Sequence, residues 1–153
     1  MNLTVQTLTT AAEVAALEPL AQELVASALA EERDDGAPEG AGRGVLERAL
    51  ASPCGLVLRA VGEDGSDAGL LVCGPLLDPL AGDERPMIQL LWTAPAYRRR
   101  GLARGLVEQA SKALRARGHR TLAARVGHND DALISMGERW GFVRSYELLA
   151  RDE

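Results

Sequence analysis

One short run dominates any reading of this chain for chemistry: Arg98-Arg99-Arg100-Gly101-Leu102-Ala103-Arg104. It follows an apolar stretch, Leu90-Leu91-Trp92-Thr93, and then Pro95, and it opens a segment of helical periodicity. The first turn of a helix carries N–H groups without intrahelical acceptors and the positive end of the backbone dipole, a combination suited to phosphate. Gly101 lets a ligand approach the main chain closely, and Ala103 keeps the next position small. Arg98, Arg99, Arg100 and Arg104 bring charge-assisted donors to the same place. There is no Walker-type loop ending in Gly-Lys-Ser or Gly-Lys-Thr, and no Gly-x-Gly-x-x-Gly run. The expected ligand is therefore phosphorylated, but not a nucleoside triphosphate held in the P-loop manner.

The chain around this run has 153 residues, 46% of them apolar and 25% charged, which suits one compact soluble domain over 1–153. A net charge of −5 argues against a nucleic-acid-coating role, because counterion release needs many phosphate-facing cations. No run approaches the roughly 18 apolar residues that span a bilayer, and the start MNLTVQTLTT lacks the basic-then-apolar pattern of a leader. Cys54 and Cys73 form no CxxC pair and read as small buried thiols. A cytoplasmic protein without a metal is expected. The five aromatics all fall in the second half, too few for base-stacking platforms. Charge is lopsided: residues 1–90 carry 15 acids and 5 bases, whereas 91–153 carry 7 acids and 12 bases. Such asymmetry suits an anionic ligand on the second part and a cationic one on the first.

The elements that must position these groups are legible in outline. Leu3 to Leu8 alternates like a half-buried strand. Thr10 and Glu13 form a capping box, and Leu17 to Ala28 carries a helical stripe that Pro19 should break or restart. Residues 33–44 read as a mobile loop and 45–51 as a short helix. Strands are predicted at 55–61 and 68–77, joined through Asp64-Gly65, then a loop over 76–86 and a buried strand at 87–93. A helix spans 100–117 and ends at Gly118. A strand at 121–126, a helix at 130–140 and a last strand at 142–149 complete the order. This is an α/β (α+β) chain: a central mixed sheet with helices on both faces.

With Arg98, Gly101 and Ala103 in the pattern Gln/Arg-x-x-Gly-x-Gly/Ala, the sequence resembles the GNAT superfamily of N-acetyltransferases. LLWTAPAYR, residues 90–98, looks like that family's fourth-strand run, and GHNDDALISMGERWGF, residues 127–142, resembles its Asn-to-Gly-Phe helix. The resemblance runs loosely over 1–55 and closely over 88–142. It implies a mostly antiparallel sheet that splays where the donor binds, and acetyl-CoA as co-substrate. Pyrophosphate would sit on the amides of the loop containing Arg99, Arg100, Gly101, Leu102, Ala103 and Arg104, next to Arg98. The main chain of Leu91, Trp92 and Thr93 would serve the pantetheine arm, and one of those N–H groups would stabilise the oxyanion. Asn129 would complete the donor side.

Acetyl transfer also needs a base for the amine and an acid, or a tolerated anion, for the departing thiolate. The family often uses a Tyr in the Asn-to-Gly-Phe helix as that acid, and here the position is Gly137. Asn129 lies one residue further from Gly141 than in the common pattern, with Asp130 in register instead. Ser135 and Tyr146 are the candidate substitutes for the acid, beside departure with water's help. Asp83, Glu84 and His128 are the candidate bases. The acidic first half, including Glu31, Glu32, Asp34 and Asp35, would flank a cationic acceptor: a polyamine, an aminoglycoside-like compound or a peptide amine. No nucleic-acid or membrane partner is expected, and the resemblance leaves a homodimer through the final strands open. A rival reading is a degenerate acyl-CoA-binding or sensing domain, for which Gly137 is the best support.

Overall fold

Alternating side chains at the start of the chain form β1 (Thr4–Leu8). Thr10 then caps α1 (Ala11–Ala15) through a reciprocal box with Glu13. The computed structural model describes residues 2–30, 32–33, 35–127 and 129–151. Pro19 falls in the first turn of α2 (Glu18–Ala30), where its missing N–H costs no helical bond, so the helix restarts there as the sequence indicates. Next come α3 (Ala41–Ala51), β2 (Leu56–Val61), β3 (Asp67–Leu77) and β4 (Glu84–Thr93). The chain continues through a turn of 3-10 helix (Pro95–Tyr97), α4 (Leu102–Ala116), β5 (Ala123–Ala124) and α5 (Asp131–Arg139).

The strands lie in the order β1-β2-β3-β4-β5, antiparallel except for the parallel β4–β5 pair. Each face of the sheet buries a core. Val57, Leu70, Val72 and Leu90 pack under α1, α2 and α3 with Val14, Leu17, Ala21 and Leu46. Leu58, Leu71, Cys73 and Ile88 pack on the other face against Leu102, Leu106, Ala110 and Leu114 of α4. The mixed sheet with helices on both faces is the architecture expected from the element order, and its mostly antiparallel pairing is what the family resemblance implies.

Several bounds differ from the sequence reading, each for a physical reason. The predicted loop over 33–44 is shorter, because α3 starts at Ala41 and takes in Gly42 and Gly44. Gly42 is there for a close helix crossing: a Cβ on it would lie 2.4 Å from the Gln22 main-chain nitrogen. The Gln22 side chain accepts from the Gly42 N–H (2.8 Å) and donates to the Pro38 carbonyl (3.1 Å), tying the approach to α3 onto α2. The predicted loop over 76–86 contracts as well. The Asp78 carboxylate accepts from the Leu80 and Ala81 N–H groups, and this turn lets β3 and β4 stay paired out to Leu77 and Glu84.

The end of the chain departs furthest from expectation. The strand predicted at 121–126 is reduced to Ala123–Ala124. Residues 143–151 form no strand, although Val-Arg-Ser-Tyr-Glu-Leu has strand-like composition. Val143 (84% exposed) and Leu148 (89%) stand in solvent, since a strand needs a neighbour and β5 offers only two residues of edge. No helix among the described residues is long and apolar enough to cross a membrane.

The Gly42 crossing gives a direct check. Gly42→Ala should force α2 and α3 apart and cost about 1–3 kcal/mol, the range for overpacking a tight site. Urea unfolding measures this as a lower midpoint, whereas Gly105→Ala, at a helical position of α4 with no atom near its Cβ position and no positive φ, should leave the midpoint unchanged or raise it.

Candidate functional site

The site is built where β4 and β5 stop pairing. Met87 and Ile88 face Ala123 and Ala124, and the Arg125 N–H donates to the Ile88 carbonyl (3.1 Å). Beyond that rung, no described residue pairs with the outer edge of β4. On its inner edge the register against β3 slips between Cys73↔Ile88 and Val72↔Leu90, leaving Gln89 as an extra residue. A bulge of this kind bends the strand and reverses which main-chain groups face which neighbour. The Ala94 N–H donates to the Ala68 carbonyl (2.8 Å), so alternation along the ladder turns Trp92 toward β3. Leu91 and Thr93 accordingly present their main-chain groups to the open side.

The loop after β4 is held in place by its own chain. Tyr97 N–H donates to the Ala94 carbonyl (2.9 Å), and the Arg98 Nε donates to the Thr93 carbonyl (3.3 Å). Arg99 takes a left-handed backbone conformation (φ 62°), and so does Gly101 (φ 78°), the residue before α4. A left-handed non-glycine residue is uncommon and costs of order 1–3 kcal/mol. No side chain caps α4, and its first intrahelical bond runs from the Gly105 N–H to the Gly101 carbonyl (2.9 Å). The amides of Leu102, Ala103 and Arg104 are thus free of helical partners at the positive end of a helix of 15 residues. Leu102 buries its side chain in the core and Ala103 is half-buried, which fixes the direction of that turn.

Of the residues expected on the donor side, Leu91 to Thr93 and Arg98 to Arg104 lie along one continuous segment, the end of β4 and the start of α4, whereas Asn129 lies on a separate one before α5. Leu91 leans on the α4 core and Trp92 on the α1–α3 core, so the Trp92 ring serves packing. Arg98 anchors the loop to β4, and Arg104 pairs with Glu108 (3.5 Å). Arg99 and Arg100 are exposed beside the uncapped turn. Asn129 is exposed before α5, where Asp130 does the capping by accepting from the Leu133 N–H (3.0 Å).

The candidates for proton transfer are scattered. Glu84 opens β4 at the end remote from Thr93, about 30 Å away at the rise of an extended strand. It is exposed there, beside Asp83, whose carboxylate approaches Arg85 (3.9 Å). Ser135 is exposed on α5, and Tyr146 is 69% exposed on the segment that forms no strand. His128, Glu31 and Asp34 lie outside the described residues. At Gly137 a side chain would make only ordinary contact with Phe142, so that place in α5 is open rather than filled. Glu32, just beyond α2, forms an ion pair with Arg125, beyond β5, across the same side of the sheet. Neither this pair nor the bulge at Gln89 is announced by a motif; the single polar residue within Met-Ile-Gln-Leu-Leu is the only local signal.

Covalent chemistry has little support. Cys54 and Cys73 are free and buried, and burial pushes the Cys73 thiol up to about 12, so almost no thiolate exists at neutral pH. Among the described residues no group of three or more His, Cys, Asp or Glu could hold a metal ion. What the geometry offers instead is a row of main-chain donors, from the open edge of β4 to the first turn of α4. That row suits a long ligand with an amide-bearing arm and a phosphate group.

Comparison with known proteins agrees with this geometry. No curated protein matches the chain. An aminoglycoside acetyltransferase from an uncultured soil metagenomic sample superposes with a TM-score of 0.67 at 27% identity, covering 100% of this chain and 98% of that one. An acetyl transferase described as putative from Pyrococcus furiosus superposes at 0.73 with 15% identity, over 99% and 100%. The aminoglycoside N-acetyltransferase AAC(6')-Iy in complex with CoA does so at 0.71 with 17% identity, over 99% and 95%. The model of the acetyltransferase (GNAT) family matches residues 18–142, which take in every element from α2 to α5, and the chain belongs to that family.

Proposed function

We propose that the protein transfers an acetyl group from acetyl-CoA to a primary amine on a small cationic acceptor, by direct attack within a ternary complex. The observation that carries this reading is the continuity between the unpaired edge of β4 and the uncapped start of α4. The amides of Leu102, Ala103 and Arg104 receive the pyrophosphate, with Arg99 and Arg100 adding charge. Leu91 and Thr93 pair with the amides of the pantetheine arm as an added strand would. The Leu91 N–H then faces the thioester oxygen, where it polarises the carbonyl and stabilises the oxyanion of the tetrahedral intermediate.

The amine nitrogen forms its bond to the carbonyl carbon, loses a proton to solvent or to a nearby base, and the carbon–sulfur bond breaks. With Gly137 where the family often has a Tyr, the thiolate leaves with water as the proton source. The inert thiols fit direct attack better than a covalent acyl-enzyme. An amine acceptor of the aminoglycoside class is supported by the 27% identical soil enzyme and by the acids in residues 1–90. Gly137 also supports the rival, a donor-binding domain without turnover.

Two measurements separate these readings. Titration calorimetry with acetyl-CoA should show saturable binding, and its absence would defeat both. Thiol release with spermidine, neamine and a neutral amine should be fastest for the two polycations; donor binding with no release would favour the rival. Gly101→Val tests the loop. No atom lies near its Cβ position, so the fold should survive, at a cost of about 3 kcal/mol for a β-branched residue in the left-handed region. A side chain projecting beside the phosphate-facing amides should weaken acetyl-CoA binding at least tenfold, and full affinity would mean that the loop is not the phosphate site.

A further inference from the structure

Of residues 95–101, which lead from β4 to α4, Tyr97 alone is not exposed. Its ring packs against the core under α4, and its hydroxyl ends over Gly62, at the turn between β2 and β3. A Cβ on Gly62 would lie 2.4 Å from the Tyr97 hydroxyl oxygen and 3.4 Å from the ring carbon that bears it. Gly62 is buried and has no positive φ, so the turn itself does not call for glycine there. Nor can its main chain draw back. The Gly62 N–H donates to the Ser66 carbonyl (2.9 Å), and its carbonyl accepts from the Gly65 N–H (3.0 Å). The side chain missing at Gly62 is space given to Tyr97.

A second glycine of the same hairpin receives the other end of the loop. Gly69 pairs with Ala60 and Thr93, and a Cβ on it would lie 3.1 Å from a δ-carbon of Leu106 and 3.2 Å from one of Leu102. The start of α4 thus rests on Gly69 as Tyr97 rests on Gly62. Between these two seats lie residues 98–101, with both left-handed positions, Arg99 and Gly101. A left-handed arginine persists only where the surrounding chain holds it. The hydrogen bond from Arg98 to the Thr93 carbonyl is exposed and competes with water, whereas the two seats are packed.

Resting on the reading of this loop as the diphosphate site, we infer that Tyr97 and Gly62 are positioning residues for the donor. The β2–β3 hairpin holds the loop in the shape that presents its amides to the diphosphate, and so sets the affinity for acetyl-CoA. With the seat disturbed, the loop samples other shapes, and the apparent affinity falls with the fraction of molecules that keep the competent one. The pantetheine arm, which pairs with Leu91 and Thr93 in the proposed complex, does not depend on that shape.

The test measures dissociation constants on the full chain for acetyl-CoA and for S-acetylpantetheine, which carries the same arm without a diphosphate. Gly62→Ala should weaken acetyl-CoA about tenfold, the loss expected when about one molecule in ten keeps the competent loop. It should leave S-acetylpantetheine unchanged. Tyr97→Phe keeps the ring and should bind acetyl-CoA like the parent. Adding Tyr97→Phe to Gly62→Ala removes the clashing oxygen and leaves the ring contact at 3.4 Å, so acetyl-CoA affinity should return, a coupling that a general loss of stability would not produce. Tyr97→Ala, which leaves the hairpin untouched, should repeat the selective loss and takes the place of Gly62→Ala if that variant does not fold.

Parental acetyl-CoA affinity in Gly62→Ala or Tyr97→Ala, equal losses for both donors, or no recovery in the double variant overturns the role of the seat. A parent protein that binds the two donors equally well overturns the diphosphate reading, and the role of the seat with it.

Discussion

A single hydrogen bond, from the Arg125 N–H to the Ile88 carbonyl, marks the point on which the site depends. At Met87 and Ile88 β4 is paired on both edges; beyond that rung no described residue pairs with its outer edge. An open edge presents main-chain donors and acceptors that water or an added strand must satisfy, which makes it a template for pairing. The bulge at Gln89 follows at once and sets the phase of the groups presented beyond it. Without that extra residue, Leu91 would face β3 and the open edge would offer a different set.

The loop after β4 extends the same principle to a charged ligand. It turns through two left-handed residues, Arg99 and Gly101, so that α4 starts without a side-chain cap. Burial of Leu102, Leu106 and Leu114 holds that helix against the sheet, and its first amides stay turned outward for that reason. Apolar packing on one side of α4 thus orients polar groups at its tip. In the proposed site the arginines add charge, and the main chain sets the direction of approach.

On the opposite face, α2 and α3 are drawn together through Gly42 and the Gln22 side chain, and the Glu32–Arg125 pair links the end of α2 to the chain beyond β5.

Much of this was readable from local pattern. Thr10 with Glu13, Pro19 at a helix start, Asp64-Gly65 at a hairpin, the stripe of α4 and the arginine–glycine run each act through neighbours a few residues away, so spacing alone identifies them. The family resemblance rested on those same local features. The bulge at Gln89, the space at Gly62, the early start of α3 and the distance of Glu84 from the open edge all arise between segments far apart in the chain. A strand at 142–149 failed for the same reason, since its composition was suitable but its neighbour too short. Local chemistry selects an element, but pairing decides whether it forms and which way its groups point, and pairing belongs to the tertiary structure.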